Sequence, residues 1–338
     1  MQNVQPQDKS TSSASPLEKL VEALSGDMQH VNQAILKNMQ ADIDMIPQIA
    51  GYLIASGGKR LRPLLTLAAT RIYDTQTPRC YGLAAAVEFI HTATLLHDDV
   101  VDESSERRGK KTANLVFGNQ ASVLVGDFLF SRAFQLMVAD GSVDVLRILS
   151  DASAIISAGE VKQLAITGDL SSTVDDYIDV AQSKTAALFA AACEIGPVIA
   201  DQDAEQANAL RDYGHNLGIA FQIVDDVLDY SATQEKLGKT IGDDFAEGKM
   251  SLPVVLALES ATENERTFWA RTLTEKDRQD GDLQTAQDIL HRTKSLERGM
   301  DMAQRYGRKA LEALAPCPDT ALTNMLRDIV EFTISRDF

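Results

Sequence analysis

Residues 83–103 read LAAAVEFIHTATLLHDDVVDE. Ala84, Val87, Ile90, Thr94 and Leu95 recur at the spacing of one helical face. The run is apolar around much of its circumference, so the helix it forms is buried among others. From Pro16 onward the same character persists. Ala, Leu, Glu and Gln are abundant, only 6% of residues are aromatic, and neither a hairpin signal nor a series of alternating strands is present. The expected fold is all-α, a single large helical bundle over residues 16–338. The first fifteen residues, MQNVQPQDKSTSSAS, are polar without an apolar core and are expected to be a disordered tail.

Composition narrows the function classes. With 338 residues, 44% hydrophobic and 24% charged, the chain has the profile of a globular protein that needs no disulfide or structural metal to fold. A net charge of -17 and a pI near 4.7 argue against nucleic-acid binding. Cys80, Cys193 and Cys317 are far apart and form no CxxC pair, which points to a reducing, cytoplasmic setting. No uninterrupted apolar run of eighteen residues exists, so no transmembrane helix is expected.

Two interruptions break the helical pattern. Residues 57–63, GGKRLRP, stop one helix and start the next. Residues 231–250 hold Gly238, Gly242 and Gly248 among Lys236, Lys239 and Lys249, and are expected to form a mobile loop.

The carboxylates carry the chemistry. DDVVD supplies Asp98, Asp99 and Asp102; DDVLD supplies Asp225, Asp226 and Asp229. On a helix the outer acids of each motif share a face. Such a group in apolar surroundings repels itself unless cations neutralise it. Carboxylate oxygens without His or Cys favour Mg²⁺. A third match, Asp175, Asp176 and Asp179, follows Ser171, Ser172 and Thr173, so its acids fall in the first turn of a helix and Thr173 caps it. That copy is expected to be structural. Lys59 and Arg62 flank a helix N-terminus, a good diphosphate pocket, and Arg107 and Arg108 follow the first acidic motif. His91 and His97 with Asp98 raise a rival, a His/His-Asp metal phosphohydrolase, which leaves the second acidic motif and both basic pairs unexplained.

Taken together, GGKRLRP, HTATLLHDDVVDESSERRGK, SKTAALF, FQIVDDVLDY and GKTIGDDFAEGK, in that order, resemble the trans-isoprenyl diphosphate synthase (polyprenyl synthetase) family from about Leu17 to Arg336. The chain most resembles bacterial octaprenyl, solanesyl and decaprenyl diphosphate synthases. The resemblance implies helices around a deep central cavity and a homodimer. It implies Mg²⁺ held by Asp98, Asp99, Asp102, Asp225, Asp226 and Asp229. Isopentenyl diphosphate would meet Lys59, Arg62, His91 and Arg108. The allylic diphosphate would meet Arg107, Lys184 and Lys239, with Thr185 and Gln222 beside the reacting carbons. Lys249, Asp243 and Asp244 would help close the loop, and Arg336 would shield the homoallylic diphosphate.

The implied reaction is ionisation of an allylic diphosphate, farnesyl or geranyl, followed by attack of the isopentenyl double bond. Repeated rounds give a long product, with ten units (a quinone side chain) as the expected length and eight or nine as alternatives. Short-chain members place bulky aromatics at the positions of Ala93 and Thr94, so small residues here leave the passage open; DDVVD also lacks the two-residue insertion of many short-chain enzymes. A class I terpene cyclase is disfavoured by the intact second motif. A non-catalytic subunit of a heteromeric synthase is disfavoured by both motifs retaining their acids. Release of so apolar a product implies transient contact with a membrane.

Overall fold

In the computed structural model, residues 14–55, 58, 60–107, 109–231 and 242–335 are described. The expected tail therefore lies almost wholly outside the described residues, as do Lys59, Arg108, Lys239 and Arg336. The all-α expectation is met. The helices are α1 (Pro16–Ala23), α2 (Ser25–Asn38), α3 (Met45–Ala55), α4 (Leu61–Arg71), α5 (Arg79–Val101), α6 (Ala113–Phe117), α7 (Asn119–Asp140) and α8 (Val143–Ile166). Then follow α9 (Val174–Ala181), a π-turn (Gln182–Ala186), α10 (Ala187–Ile199) and α11 (Ala204–Ser231). The C-terminal part holds α12 (Asp243–Glu247), α13 (Leu252–Leu258), α14 (Glu263–Trp269), a second π-turn (Ala270–Thr274), α15 (Asp282–Arg292), α16 (Ser295–Ala313) and α17 (Ala321–Ile334).

One departure is a two-stranded hairpin, β1 (Glu106–Arg107) with β2 (Lys110–Lys111), antiparallel, with Gly109 at positive φ. Strands of two residues leave no alternation for a sequence pattern to reveal. The expected loop is described from residue 242, where Gly242 and Gly248, both in the left-handed region, bracket α12; Gly238 and Lys236 lie outside the described residues.

Helix ends follow local chemistry. Ser15 caps α1 with Glu18 as reciprocal partner, and Pro16 opens the helix. Thr173 and Asp176 make the same box at the start of α9. Asp176 and Asp179 further engage Lys162 on α8. The third acidic motif is therefore a helix start.

The core has two parts joined along α11. Leu210, Tyr213 and Leu217 belong to the first, with α4, α5, α7, α8 and α10 around them. Val224, Val227 and Tyr230 belong to the second, with α13, α15 and α16. Close approach of α11 to α10 and to the π-turn before it depends on two glycines: a Cβ at Gly214 would stand 2.4 Å from the Phe189 carbonyl oxygen, and one at Gly218 2.6 Å from Ala186 Cα.

Among the described residues, α7 is long and apolar enough to cross a membrane, at mean hydropathy 1.4 over its best window. Asp127 and Arg132 lie within it, so the apolar run is not continuous. The helix packs lengthwise on α5, and its Asp140 is held by Arg79 at 2.9 Å, so it is a helix of the bundle.

Candidate active site

Both acidic motifs sit at helix C-terminal ends. Asp98 and Asp99 lie in the last turn of α5, with Asp102 as its C-cap; Asp225, Asp226 and Asp229 fill the last two turns of α11. A carboxylate there faces the negative end of the helix dipole, the opposite of its position in α9. Such placement costs stability unless cations offset it. Three do so in the first motif. Lys184 Nζ stands 3.5 Å from Asp98, Lys249 Nζ 3.1 Å from Asp102, and Arg107 Nε donates to Asp99 Oδ1 at 2.8 Å.

Within each motif the acids divide. The middle ones, Asp99 and Asp226, are buried, whereas the outer ones are half-buried. Asp99 is turned to Arg107, delivered by the hairpin; its Oδ2 is buried without a hydrogen-bond partner. Asp226 Oδ1 accepts from Gln222 Nε2 at 2.7 Å, and the Gln222 Oε1 accepts from the Thr185 hydroxyl at 2.6 Å. Asp229 Oδ2 accepts from the Asp244 backbone N–H at 3.0 Å, which moors α12 to α11. Lys249, two residues past α12, then reaches Asp102 and also Glu247, so one short segment spans both motifs. Glu247 in turn accepts from Ser104 Oγ at 3.2 Å.

The electrostatics follow. Burial raises Asp98, opposed by Lys184 and reinforced by Asp102. Burial raises Asp99 against the Arg107 hydrogen bond. Asp226 is pushed well above the carboxylate range by burial and then by Asp244. Asp229 is pushed up to about 7 by burial and then by Asp244. For Lys184 burial opposes the charge, yet Asp98 and Glu160 outweigh it and hold the ammonium above its ordinary value; Asp244, Glu247 and Asp102 do the same for Lys249. This is a cluster that wants external positive charge.

The remaining expected residues divide similarly. Arg62 and His91 meet, Nη1 to Nε2 at 3.1 Å, and the Arg62 guanidinium lies 4.6 Å over the Phe189 ring. His97 turns away to α7, where Nε2 lies 3.2 Å from the Val123 carbonyl oxygen and 3.4 Å from Asp127, against Gly126. His91 thus meets Arg62 and His97 is turned to α7, which removes the phosphohydrolase reading. Thr94 shares the face of His91 and Asp98 and is half-buried, its hydroxyl donating to the His91 carbonyl at 2.8 Å. Ala93 points elsewhere and is completely buried in the core.

Sequence reasoning missed Glu160 on α8, whose Oε2 accepts from Lys184 Nζ at 3.0 Å. It also missed Glu247. For Glu160 the available signal was Gly159, a glycine inside a long helix, which marks a close approach.

The donor set suits a hard divalent ion. The outer acids lie one turn apart on one face, and the oxygens are all carboxylate. Among the described residues, no group of three or more His, Cys, Asp or Glu side chains forms an ion site by itself. An ion here would complete its shell with water or ligand oxygens, as Mg²⁺ does with phosphates.

Residues 43–290 match the family model described as polyprenyl synthetase. The chain belongs to the polyprenyl synthetase family. The octaprenyl diphosphate synthase of Escherichia coli (strain K12) is 43% identical over 321 residues, covering 95% of this chain and 99% of that one. A polyprenyl synthase from Caulobacter crescentus CB15, solved with calcium and isoprenyl diphosphate, superposes with a TM-score of 0.92 at 47% identity, covering 96% of this chain and 99% of the other. A decaprenyl diphosphate synthase from Rhodobacter capsulatus superposes at 0.91 with 49% identity, covering 95% and 99%. This polyprenyl synthetase is a prenyltransferase, a long-chain polyprenyl diphosphate synthase with the all-α isoprenoid synthase fold.

Proposed function

We propose that residues 16–338 act as one unit that condenses isopentenyl diphosphate head-to-tail onto farnesyl or geranyl diphosphate with Mg²⁺, ending at ten isoprene units. The observation that carries this reading is that one short segment joins the two carboxylate motifs at the C-termini of α5 and α11: the Asp244 N–H donates to Asp229, and Lys249 reaches Asp102 beside the Lys184–Asp98 pair. The 49% identical decaprenyl enzyme supports ten units; the 43% identical octaprenyl enzyme favours eight as the second reading.

Asp98, Asp102, Asp225 and Asp229 would hold Mg²⁺, which supplies charge neutralisation to the departing diphosphate. Asp99 and Asp226 orient Arg107 and Gln222. Arg107 and Lys184, with Lys239 outside the described residues, hold the allylic diphosphate, and Lys249 helps close the segment over it. Arg62 and His91, with Lys59 and Arg108 outside the described residues, hold isopentenyl diphosphate. Because the Thr185 hydroxyl donates to Gln222, its oxygen lone pairs are free to face the developing allylic cation, a fixed dipole of the right sign. Thr94, on the Asp98 face, lies where the growing chain enters. The proton released after condensation passes to the departed diphosphate, so no protein base is required.

The reading includes a cytoplasmic homodimer without nucleic-acid partners. Leu115 and Val116 on α6 and Leu124 on α7 are 56%, 46% and 67% exposed, an apolar face suited to a second copy. Transient membrane contact completes product release. The test is incorporation of labelled isopentenyl diphosphate by the purified protein alone, with and without Mg²⁺. Mg²⁺-dependent incorporation supports the reading; none from folded protein moves the assignment to a subunit that needs a partner chain.

A further inference from the structure

Lys184 stands between two carboxylates on different helices. Glu160 on α8 is nearer, at 3.0 Å, and Asp98 on α5 lies at 3.5 Å. The arrangement is built into the backbone. Lys184 belongs to the π-turn Gln182–Ala186, and α8 approaches this turn at Gly159, where a Cβ would stand 2.4 Å from Ser183 Cβ and 3.3 Å from the Lys184 nitrogen. A π-turn at this point and a glycine opposite it put Glu160 beside the ammonium group.

Glu160 Oε1 is buried without a hydrogen-bond partner, so desolvating this carboxylate is only partly offset. A lysine has a flexible stem and a compact charge, and it follows the strongest nearby anion. Without Glu160, Lys184 would shorten its existing 3.5 Å pair with Asp98 and turn further toward that carboxylate.

We infer that Glu160 is a positioning residue: it shares the Lys184 ammonium with Asp98 and keeps it from closing fully on that carboxylate, so that it stays aimed at the allylic diphosphate. The inference rests on the assignment of Lys184 to that diphosphate. It concerns the reaction through Lys184 only, since Glu160 itself need not touch substrate.

Steady-state kinetics of the full chain test it, varying farnesyl diphosphate and isopentenyl diphosphate separately for Glu160→Gln, Glu160→Ala, Lys184→Ala and the double alanine variant. Glu160→Ala is expected to raise KM for farnesyl diphosphate roughly 10–100-fold while leaving that for isopentenyl diphosphate within about twofold. Glu160→Gln, whose amide oxygen still accepts from the ammonium, should recover part of the loss. The double variant should be no worse than Lys184→Ala. Losses that add in the double variant, equal changes in both KM values, or an unimpaired Glu160→Ala beside an impaired Lys184→Ala would overturn the inference. A Lys184→Ala variant with unchanged KM for farnesyl diphosphate would instead overturn the assignment beneath it. Glu160→Gln keeps the side-chain shape, so it remains readable if the alanine variant misfolds.

Discussion

The Thr185 hydroxyl donates to Gln222 Oε1 at 2.6 Å, tying the π-turn before α10 to the last turns of α11. Gln222 passes its own amide hydrogen to buried Asp226. Gln222→Leu removes a donor from that carboxylate and an acceptor from the hydroxyl together. The expected cost is about 1–3 kcal/mol of stability, read as a lowered Tm. Thr185→Val should lower kcat with little change in either KM, because the lost dipole acts on developing charge. A kcat equal to that of the unsubstituted protein would remove Thr185 from the reaction.

The outer acids are expected to matter differently from the middle ones. Asp98→Asn and Asp225→Asn should each lower kcat by roughly 10²–10³, partly recovered at higher Mg²⁺. Asp99→Asn should leave the Mg²⁺ dependence unchanged and act through Arg107. Mg²⁺ titrations of the three variants separate the two patterns.

Asp229 gives a pH dependence with a definite sign. Its carboxyl is raised to about 7 by burial and by Asp244. The native state therefore retains a proton that the unfolded chain releases near pH 4. This contribution to stability is full below that point and is lost as pH rises through about 7. The Mg²⁺-free protein should show a Tm that falls between pH 4 and 8, and Asp229→Asn should flatten the slope. A Tm rising over the same window in both proteins would contradict the assignment.

Thr94 and Ala93 are adjacent but face different surroundings. Thr94→Phe should shorten the product, since it lies on the Asp98 face. Ala93→Phe should cost about 1–3 kcal/mol through overpacking of a fully buried site. Chain-length analysis and thermal melts of both variants check this, and an unchanged product from Thr94→Phe would refute the placement.

Much of this was legible in the sequence because it is local. Helical spacing around Ala84–Leu95 revealed α5, and Thr173 before Asp176 revealed a helix start in place of a third ion site. Arg62 and His91 were grouped through motif resemblance, and the fold brings them together. What remained hidden depends on tertiary placement. A hairpin of two-residue strands carries Arg107 back to Asp99, and strands that short show no alternation to mark the return. The π-turn that presents Lys184 has no local pattern distinct from an α-helix. Ala93 and Thr94 looked equivalent until their faces were known.

Product length tests the central claim most directly. The purified protein is incubated with Mg²⁺, farnesyl diphosphate and labelled isopentenyl diphosphate, and the dephosphorylated products are resolved by chain length. The expected result is a ladder ending at eight to ten isoprene units, ten being the proposed length. Products that stop at four units, or no incorporation by folded protein, would contradict a self-sufficient long-chain synthase.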